Sequence, residues 1–270
     1  LVSSTPAPHG LHFVAESPIP GLAVAERRVE HPEATIICIH GGLDRGGSFA
    51  RLARRTNRFD LVTYDRRGYQ GSRDLGPLEL ERHVSDLTAV ARHEDGGRAI
   101  IFFGHSYGGV VAIGAAIADE SLARLVITFE APLRWILRRD ETREPLGDDP
   151  QLEAEKFFRR IVSDSAWERL SELERDSRRR DGPALVNDLS SLRAMTPPFD
   201  VASLKVPTVY VYGDSRAPDF YRSLSAELAS VNPLIRSRQV TNAAHGAHLS
   251  IPDQLAALIG ELWDETCASA

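Results

Sequence analysis

Read for its alternation of apolar and polar positions, the chain divides into short apolar runs separated by helical patterns. Thr35 to Ile39, Leu61 to Tyr64, Ala99 to Phe103, Leu125 to Phe129, Val206 to Tyr212 and Leu234 to Val240 are β-branched or aromatic runs of strand length. Between them lie stretches with helical spacing: Ser48 to Arg55, Leu80 to His93 with Val84, Leu87 and Val90 on one face, Val110 to Ala118, Pro218 to Ser230, and Pro252 to about Trp263. Strands alternating with helices predict an α/β fold, a mostly parallel central sheet flanked by helices on both faces. Before the first buried strand, His12 to Glu16 and Leu22 to Val29 alternate around Ser17-Pro18-Ile19-Pro20-Gly21 and read as an edge hairpin, preceded by a loose tail over residues 1–10.

One region breaks the alternation. From about Leu133 to Asp200 the strand patterns vanish, and arginines, acids and leucines dominate in three helical pieces near Gln151–Val162, Ser165–Arg180 and Pro183–Ala194. Trp135, Ile136, Leu137, Phe157, Phe158 and Trp167 need an apolar partner there, and the top of the sheet is the simplest one. The expected organisation is a core of residues 1–132 and 201–270 with a helical cap, 133–200, inserted into it. Arg178-Arg179-Arg180, flanked by Glu172, Glu174, Asp176 and Asp181, reads as a solvated helix face.

Composition narrows the function classes. The 270 residues carry a net charge of −6 and are 42% hydrophobic and 26% charged, with no clustered basic excess of the kind nucleic acid requires. No run approaches the roughly 20 apolar residues of a membrane span. Of the two cysteines, Cys38 lies inside an apolar strand and Cys267 in the polar tail, so neither a disulfide nor a metal pattern is expected. Leu1 to Pro6 has no basic region followed by an apolar core, which predicts a cytoplasmic protein; because the chain does not begin with Met, a removed leader stays open. A small-molecule partner is the expectation, and oligomeric state is not legible.

The chemistry centres on Gly104-His105-Ser106-Tyr107-Gly108-Gly109. A buried strand leads in and a run of small apolar residues leads out, so a tight turn presents one hydroxyl above the carboxyl edge of the sheet. Upstream, His40-Gly41-Gly42-Leu43 follows a buried strand directly and frees backbone N–H groups to point into a cleft. With this G-x-S-x-G turn and the H-G-G loop, the chain resembles the α/β-hydrolase superfamily. The resemblance implies Ser106 as nucleophile, an oxyanion hole from the N–H of Tyr107 with that of Gly42 or Leu43, and a histidine base after the last strand. His245-Gly246-Ala247-His248-Leu249, followed by Pro252, is similar to the family's G-H-x-x-H-L-x-x-P pattern, which favours His245 as the base over His248. Asp65-Arg66-Arg67-Gly68-Tyr69-Gln70-Gly71-Ser72 looks like the family's D-x-R-G-x-G-x-S loop, with Gln70 in place of the second glycine. It reads as structural, with Asp65 as an anchor.

The third member of the triad stays open. The family's usual acid follows the strand that ends at Tyr212, spaced G-x-x-D, but after Gly213 that position is Arg216; Asp214 is the acid nearby. Some branches of the superfamily instead carry a glutamate after the preceding strand, and here Phe129-Glu130-Ala131-Pro132 supplies one. Glu130 is the favoured acid and Asp214 the alternative. The implied activity is a serine hydrolase that cleaves a carboxylic ester, lactone or related acyl bond of a largely apolar small molecule through an acyl-enzyme, needing no cofactor and no metal; His40 and His105 read as parts of their motifs. The alternatives are the same triad used for C–C bond hydrolysis, perhydrolysis or acyl transfer, and a ligand-binding protein on the hydrolase scaffold.

Overall fold

A computed structural model describes residues 10–76, 78–137, 145–194, 196–215 and 217–269. The tail over 1–9 and Arg216, the residue at the usual acid position, lie outside the described residues. Among the described residues eight strands form one sheet: β1 His12–Phe13, β2 Val24–Arg27, β3 Ala34–Ile39, β4 Phe59–Tyr64, β5 Ile100–His105, β6 Leu125–Phe129, β7 Thr208–Gly213 and β8 Ile235–Val240. Their order is β1-β2-β4-β3-β5-β6-β7-β8. β1 and β2 are antiparallel additions at one edge, and every pairing from β4 to β8 is parallel.

Burial follows from position in that order. β3, β4, β5, β6 and β7 are buried at every residue, as continuous apolar runs covered on both faces must be. β8, at the edge, keeps only its ends buried and turns Arg236, Ser237 and Gln239 outward or sideways. Alternate residues feed two cores. Ile37, Ile39 and Phe102 face one layer with Val110 and Val111, while Ile36, Cys38 and Phe103 face the other with Phe49, Ile259 and Trp263.

The helices are α1 Ala50–Ala53, α2 Leu80–His93, α3 Tyr107–Ala118, α4 Pro150–Ile161, α5 Asp164–Arg169, α6 Glu172–Arg180, α7 Gly182–Ser191, α8 Pro218–Val231, α9 Ala247–Ser250 and α10 Pro252–Ala268. Three depart from expectation. The first is only one turn long, preceded by a 3₁₀ turn at Gly46–Phe49, because two glycines are poor nucleators. The piece expected over 165–180 is two helices. Leu170 is extended, and Ser171 starts α6 with a capping box: its hydroxyl accepts the Glu174 N–H while Glu174 accepts the Ser171 N–H. That Ser-x-x-Glu signature stands in the sequence. Finally, α10 runs on to Ala268, so Cys267 lies on a helix rather than in a tail. Among the described residues, no helix is long and apolar enough to cross a membrane.

Between β6 and β7 the described residues form helices and no strand. α4 packs on α5, α6 and α7. α7 lies over the loops at the carboxyl ends of β3 and β4, as its contacts below describe.

Candidate active site

β5 and β6 end level, with His105 paired to Phe129, so the next residue of each, Ser106 and Glu130, leaves the sheet side by side. The ladder carries one step further: the Ser106 N–H donates to the Phe129 carbonyl and the Glu130 N–H to the Val211 carbonyl, each at 2.8 Å. Both residues then turn sharply, with φ of 53° at Ser106 and 50° at Glu130. Leu43, after β3, has φ of 52°. Left-handed backbone at residues with side chains is strained, and here it is concentrated at one edge of the sheet, where such strain commonly serves function.

The turn at Ser106 is possible only because of its glycines. A Cβ on Gly104 would lie 2.5 Å from the Gly108 carbonyl oxygen, and one on Gly108 would lie 2.1 Å from that of Ile39. α3 can therefore start directly above β3 and β5, with Ser106 half-buried at its amino end. Gly41 runs alongside: a Cβ there would sit 2.8 Å from the Ser106 Cβ and 3.3 Å from its Oγ.

His245 follows β8, and its Nδ1 is 2.6 Å from Glu130 Oε2. The Glu130 carboxylate is wholly buried, and its other oxygen accepts the Gly213 N–H at 3.1 Å. That N–H comes from the end of β7, where the usual acid of the resemblance would stand. Asp214 is half-buried and accepts instead from the Ser215 hydroxyl at 3.2 Å. With Nδ1–H donating to Glu130, the His245 tautomer leaves the lone pair on Nε2. The backbone of His245 is held as well: His105 Nε2 donates to its carbonyl at 2.7 Å, and the two rings lie 4.7 Å apart. His248, the alternative base, is buried between Phe49 and His105, with its Nε2 3.3 Å from Asp44.

The H-G-G loop is held by an arginine that the sequence reading left as part of a structural loop. The backbone N–H of Arg66 donates to His40 Nε2 at 2.8 Å; its Nε donates to the His40 carbonyl and its Nη2 to the Gly41 carbonyl. His40 Nδ1 donates to the Gly41 carbonyl at 2.7 Å, so the ring is neutral, and burial and then the Arg66 charge push its pKa down to about 3. Because a peptide is planar and trans, fixing the Gly41 C=O also fixes the opposite direction of the Gly42 N–H. Arg66 is fully buried and forms a bidentate pair with Asp188 of α7 at 2.6 and 3.1 Å; Tyr69 donates to the same carboxylate at 2.7 Å.

Arg178 departs from the expected solvated face. It is half-buried, and its Nη1 donates to the Leu43 carbonyl at 2.6 Å; burial pushes its pKa down. Arg180 is exposed, as expected of such a run. Gln70, standing where the resemblance has glycine, has φ of 42°, and its amide donates to Asp181 at 2.7 Å. The loop keeps its turn, and the glutamine side chain ties it to the start of α7. Asp65 accepts the N–H groups of Gly46 and Gly71, the bonds of an anchor. Tyr107 reaches the same helix, its hydroxyl 2.7 Å from that of Ser191. A Cβ on Gly42 would meet Leu185 of α7 first, at 3.0 Å, and then Asp188 Oδ2 of α7 and Phe157 of α4, both at 3.8 Å.

Comparison with known proteins bears on the family and the fold. Residues 36–258 match the family described as "Alpha/beta hydrolase family". Lipase LipV of Mycobacterium tuberculosis (strain ATCC 25618 / H37Rv) is 30% identical over 95 residues, 35% of this chain and 36% of the lipase. Polyketide synthase ThaQ of Burkholderia thailandensis is 26% identical over 93% of this chain, which spans only 13% of that protein. Among solved structures, the N-formylmaleamic acid deformylase Nfo of Pseudomonas putida S16 has the same fold, with a TM-score of 0.66 and 19% identity over 92% of this chain and 99% of that one. With its sheet order, its strained turns at the carboxyl edge and a family match over most of its length, the chain belongs to the alpha/beta hydrolase family.

Proposed function

We propose that this protein is a serine hydrolase that cleaves a carboxylic ester, lactone or related acyl bond of a largely apolar small molecule. The observation that carries the reading is the 2.6 Å contact between half-buried His245, through Nδ1, and the wholly buried Glu130 carboxylate, with a strained, half-buried Ser106 at the end of the strand next to that of Glu130. A serine hydroxyl is a weak nucleophile at neutral pH and needs a base whose tautomer is held from behind. In this reading Ser106 Oγ attacks the substrate carbonyl carbon, and its proton passes to His245 Nε2. Glu130 keeps Nδ1 protonated and stabilises the imidazolium. The N–H groups of Tyr107 and Gly42 hold the developing oxyanion, each worth about 3 kcal/mol in such sites; the fixed direction of the Gly41–Gly42 peptide favours Gly42 over Leu43 for the second. The imidazolium gives its proton to the leaving oxygen. Water then attacks the acyl-enzyme, with His245 again the base.

In the same reading the helices between β6 and β7 are a cap, and Leu185 and Phe157 beside Gly42 favour an apolar group in the substrate. A fluorophosphonate probe tests the core of the proposal. Wild type should be labelled once per chain and lose turnover of short- and medium-chain p-nitrophenyl esters. Ser106→Ala should take no label, and equal labelling of that variant would sink the assignment. A second reading, acyl transfer to an acceptor other than water, is favoured by the likeness of nearly the whole chain to a stretch of a polyketide synthase. Ester or amide products formed at the expense of hydrolysis in millimolar alcohol or amine would decide for it.

A further inference from the structure

Three side chains that the proposed acyl chemistry leaves unused meet behind His245. Asp44 follows the H-G-G-L loop, His105 is the last residue of β5, and His248 lies in α9. Asp44 Oδ2 is 3.3 Å from His248 Nε2 and 3.9 Å from His105 Nδ1. One nitrogen or oxygen from each lies within 4.8 Å of the others, and the two imidazole rings are 4.4 Å apart.

The tautomer of His105 is set by its other contact. Nε2 lies 2.7 Å from the His245 carbonyl, which can only accept, so Nε2 carries the proton and Nδ1 keeps a bare lone pair on the Asp44 side. That Nδ1 is buried with no hydrogen-bond partner, as are both ring nitrogens of His248; the approach of His248 to Asp44 is close but not aligned as a hydrogen bond. The two side chains are only 7% and 2% exposed, so water does not satisfy them from outside. Buried polar atoms are nearly always paired, and the bare His105 lone pair facing a carboxylate, beside an unpartnered imidazole, calls for a shared partner.

We propose that Asp44, His105 and His248 form a binding site for a divalent first-row transition metal of the zinc class. Two imidazoles and one carboxylate are the donor set such ions take. Zinc bonds of about 2.0–2.1 Å place tetrahedral ligand atoms roughly 3.3–3.4 Å apart; one distance to Asp44 already has that value, the other closes by about half an ångström, and the two ring nitrogens, within 4.8 Å of each other, close by up to about 1.4 Å. Outer contacts fit too: His105 donates its second N–H to a backbone carbonyl, and Asp44 Oδ2 accepts from the Ser48 hydroxyl at 3.0 Å. The Asp44 side chain is 18% exposed, which gives an ion a way in. The bound cation would stand one ring away from His245, whose imidazole must gain a proton during turnover. It therefore slows the reaction, a consequence that rests on the proposed role of His245 as base; binding itself does not.

The test is equilibrium dialysis of chelator-stripped protein against micromolar zinc, with bound metal counted. One zinc per chain is expected, with affinity falling at least tenfold in Asp44→Asn and in His248→Gln and little changed in His245→Gln. No stoichiometric uptake overturns the site. So does loss in His245→Gln with retention in the other two, which would put zinc on the His245–Glu130 pair. Because a core variant can misfold, cobalt(II) added to wild type gives an independent reading: visible absorption of a four- or five-coordinate N/O site supports the proposal, and an unperturbed hexaaqua spectrum sinks it. Uptake without loss of esterase turnover would leave the metal site standing and count against His245 as the base.

Discussion

At the carboxyl edge of the sheet, groups are placed by backbone; in the helices between β6 and β7 they are placed by charge. Ser106 and Glu130 sit together because two neighbouring strands end in register, and α3 beneath them buries ten of its twelve residues. In α4 only Ala154 is buried, and in α6 none is. Those helices are laced by ion pairs: Arg159 with Glu155 and Glu168, Arg179 with Glu155, Glu172 and Asp176, and Arg175 with Glu168. Exposed pairs contribute at most about 1 kcal/mol each, whereas each fully buried apolar side chain contributes about 1.5–3 kcal/mol. The floor is therefore the more firmly held layer and α4 to α6, the outer part of the proposed roof, the less; α7 is locked to the floor by the buried Arg66–Asp188 pair, with further bonds from Gln70 and Arg73 to Asp181 and between Tyr107 and Ser191. The same arginine holds the His40 and Gly41 carbonyls, so this attachment of the roof is also a support of the proposed oxyanion loop.

The largest expected effect tests the floor. Glu130→Gln should keep the fold yet lower kcat on esters by about 10⁴-fold, about 5.5 kcal/mol of barrier, by leaving His245 in the wrong tautomer. Asp214→Asn should change it less than about threefold. Steady-state kinetics on both variants, with near-UV circular dichroism as a control for folding, decides between them, and the reverse pattern would hand the role to Asp214.

Next comes the lock. Asp188→Ala strands a buried guanidinium and should cost about 3–5 kcal/mol in urea unfolding. If it costs no more than a surface substitution, the roof is not anchored through Arg66. A smaller effect is expected with pH. His40 and His83 are buried and neutral, their folded pKa values pushed down by desolvation and then by the Arg66 charge. The unfolded chain binds protons there near pH 6.5 that the folded chain refuses. Stability is thus full above about pH 6.5 and is lost as pH falls below it, for His40 down to about 3, by about 1.4 kcal/mol per pH unit for each such histidine. Unfolding midpoints at pH 7.5, 6.0 and 5.0 check the sign; a flat profile over that range would mean that these rings protonate in place.

The smallest effect belongs to the outer roof. Glu155→Ala removes partners of Arg159 and Arg179 and should cost under about 1 kcal/mol, less still in 1 M salt. Amide hydrogen exchange gives the same comparison without substitutions: α4 to α6 should open before β5 and α3. Equal protection of the two would remove the distinction.

Much of this was readable in the residues. The strand and helix order, the tight turn at Ser106 and the H-G-G loop come from local patterns, since an apolar run, a glycine pair or a helical period announces itself within a few positions. The break at Ser171 was also legible, in Ser-x-x-Glu, although the long polar pattern hid it. Arg66 and Asp188 were not. They are 122 residues apart, and a buried arginine in a loop has the same local signature as a solvated one. Arg178 was misread for the same reason: flanking acids describe a helix surface but do not say what that surface lies against.

The sequence by itself determined which groups reach the carboxyl edge, because strand period and turn chemistry are properties of neighbouring residues. Only the tertiary structure decided which carboxylate stands behind His245. Glu130 and Asp214 end adjacent strands and carry the same charge, and the choice rests on a strained turn at Glu130 together with an N–H from Gly213 that fixes its carboxylate against the imidazole. It likewise decided that Asp44, His105 and His248, set on three separate segments, share one buried space. Distances between such groups depend on how whole elements pack, and nothing in the spacing of the residues along the chain encodes them.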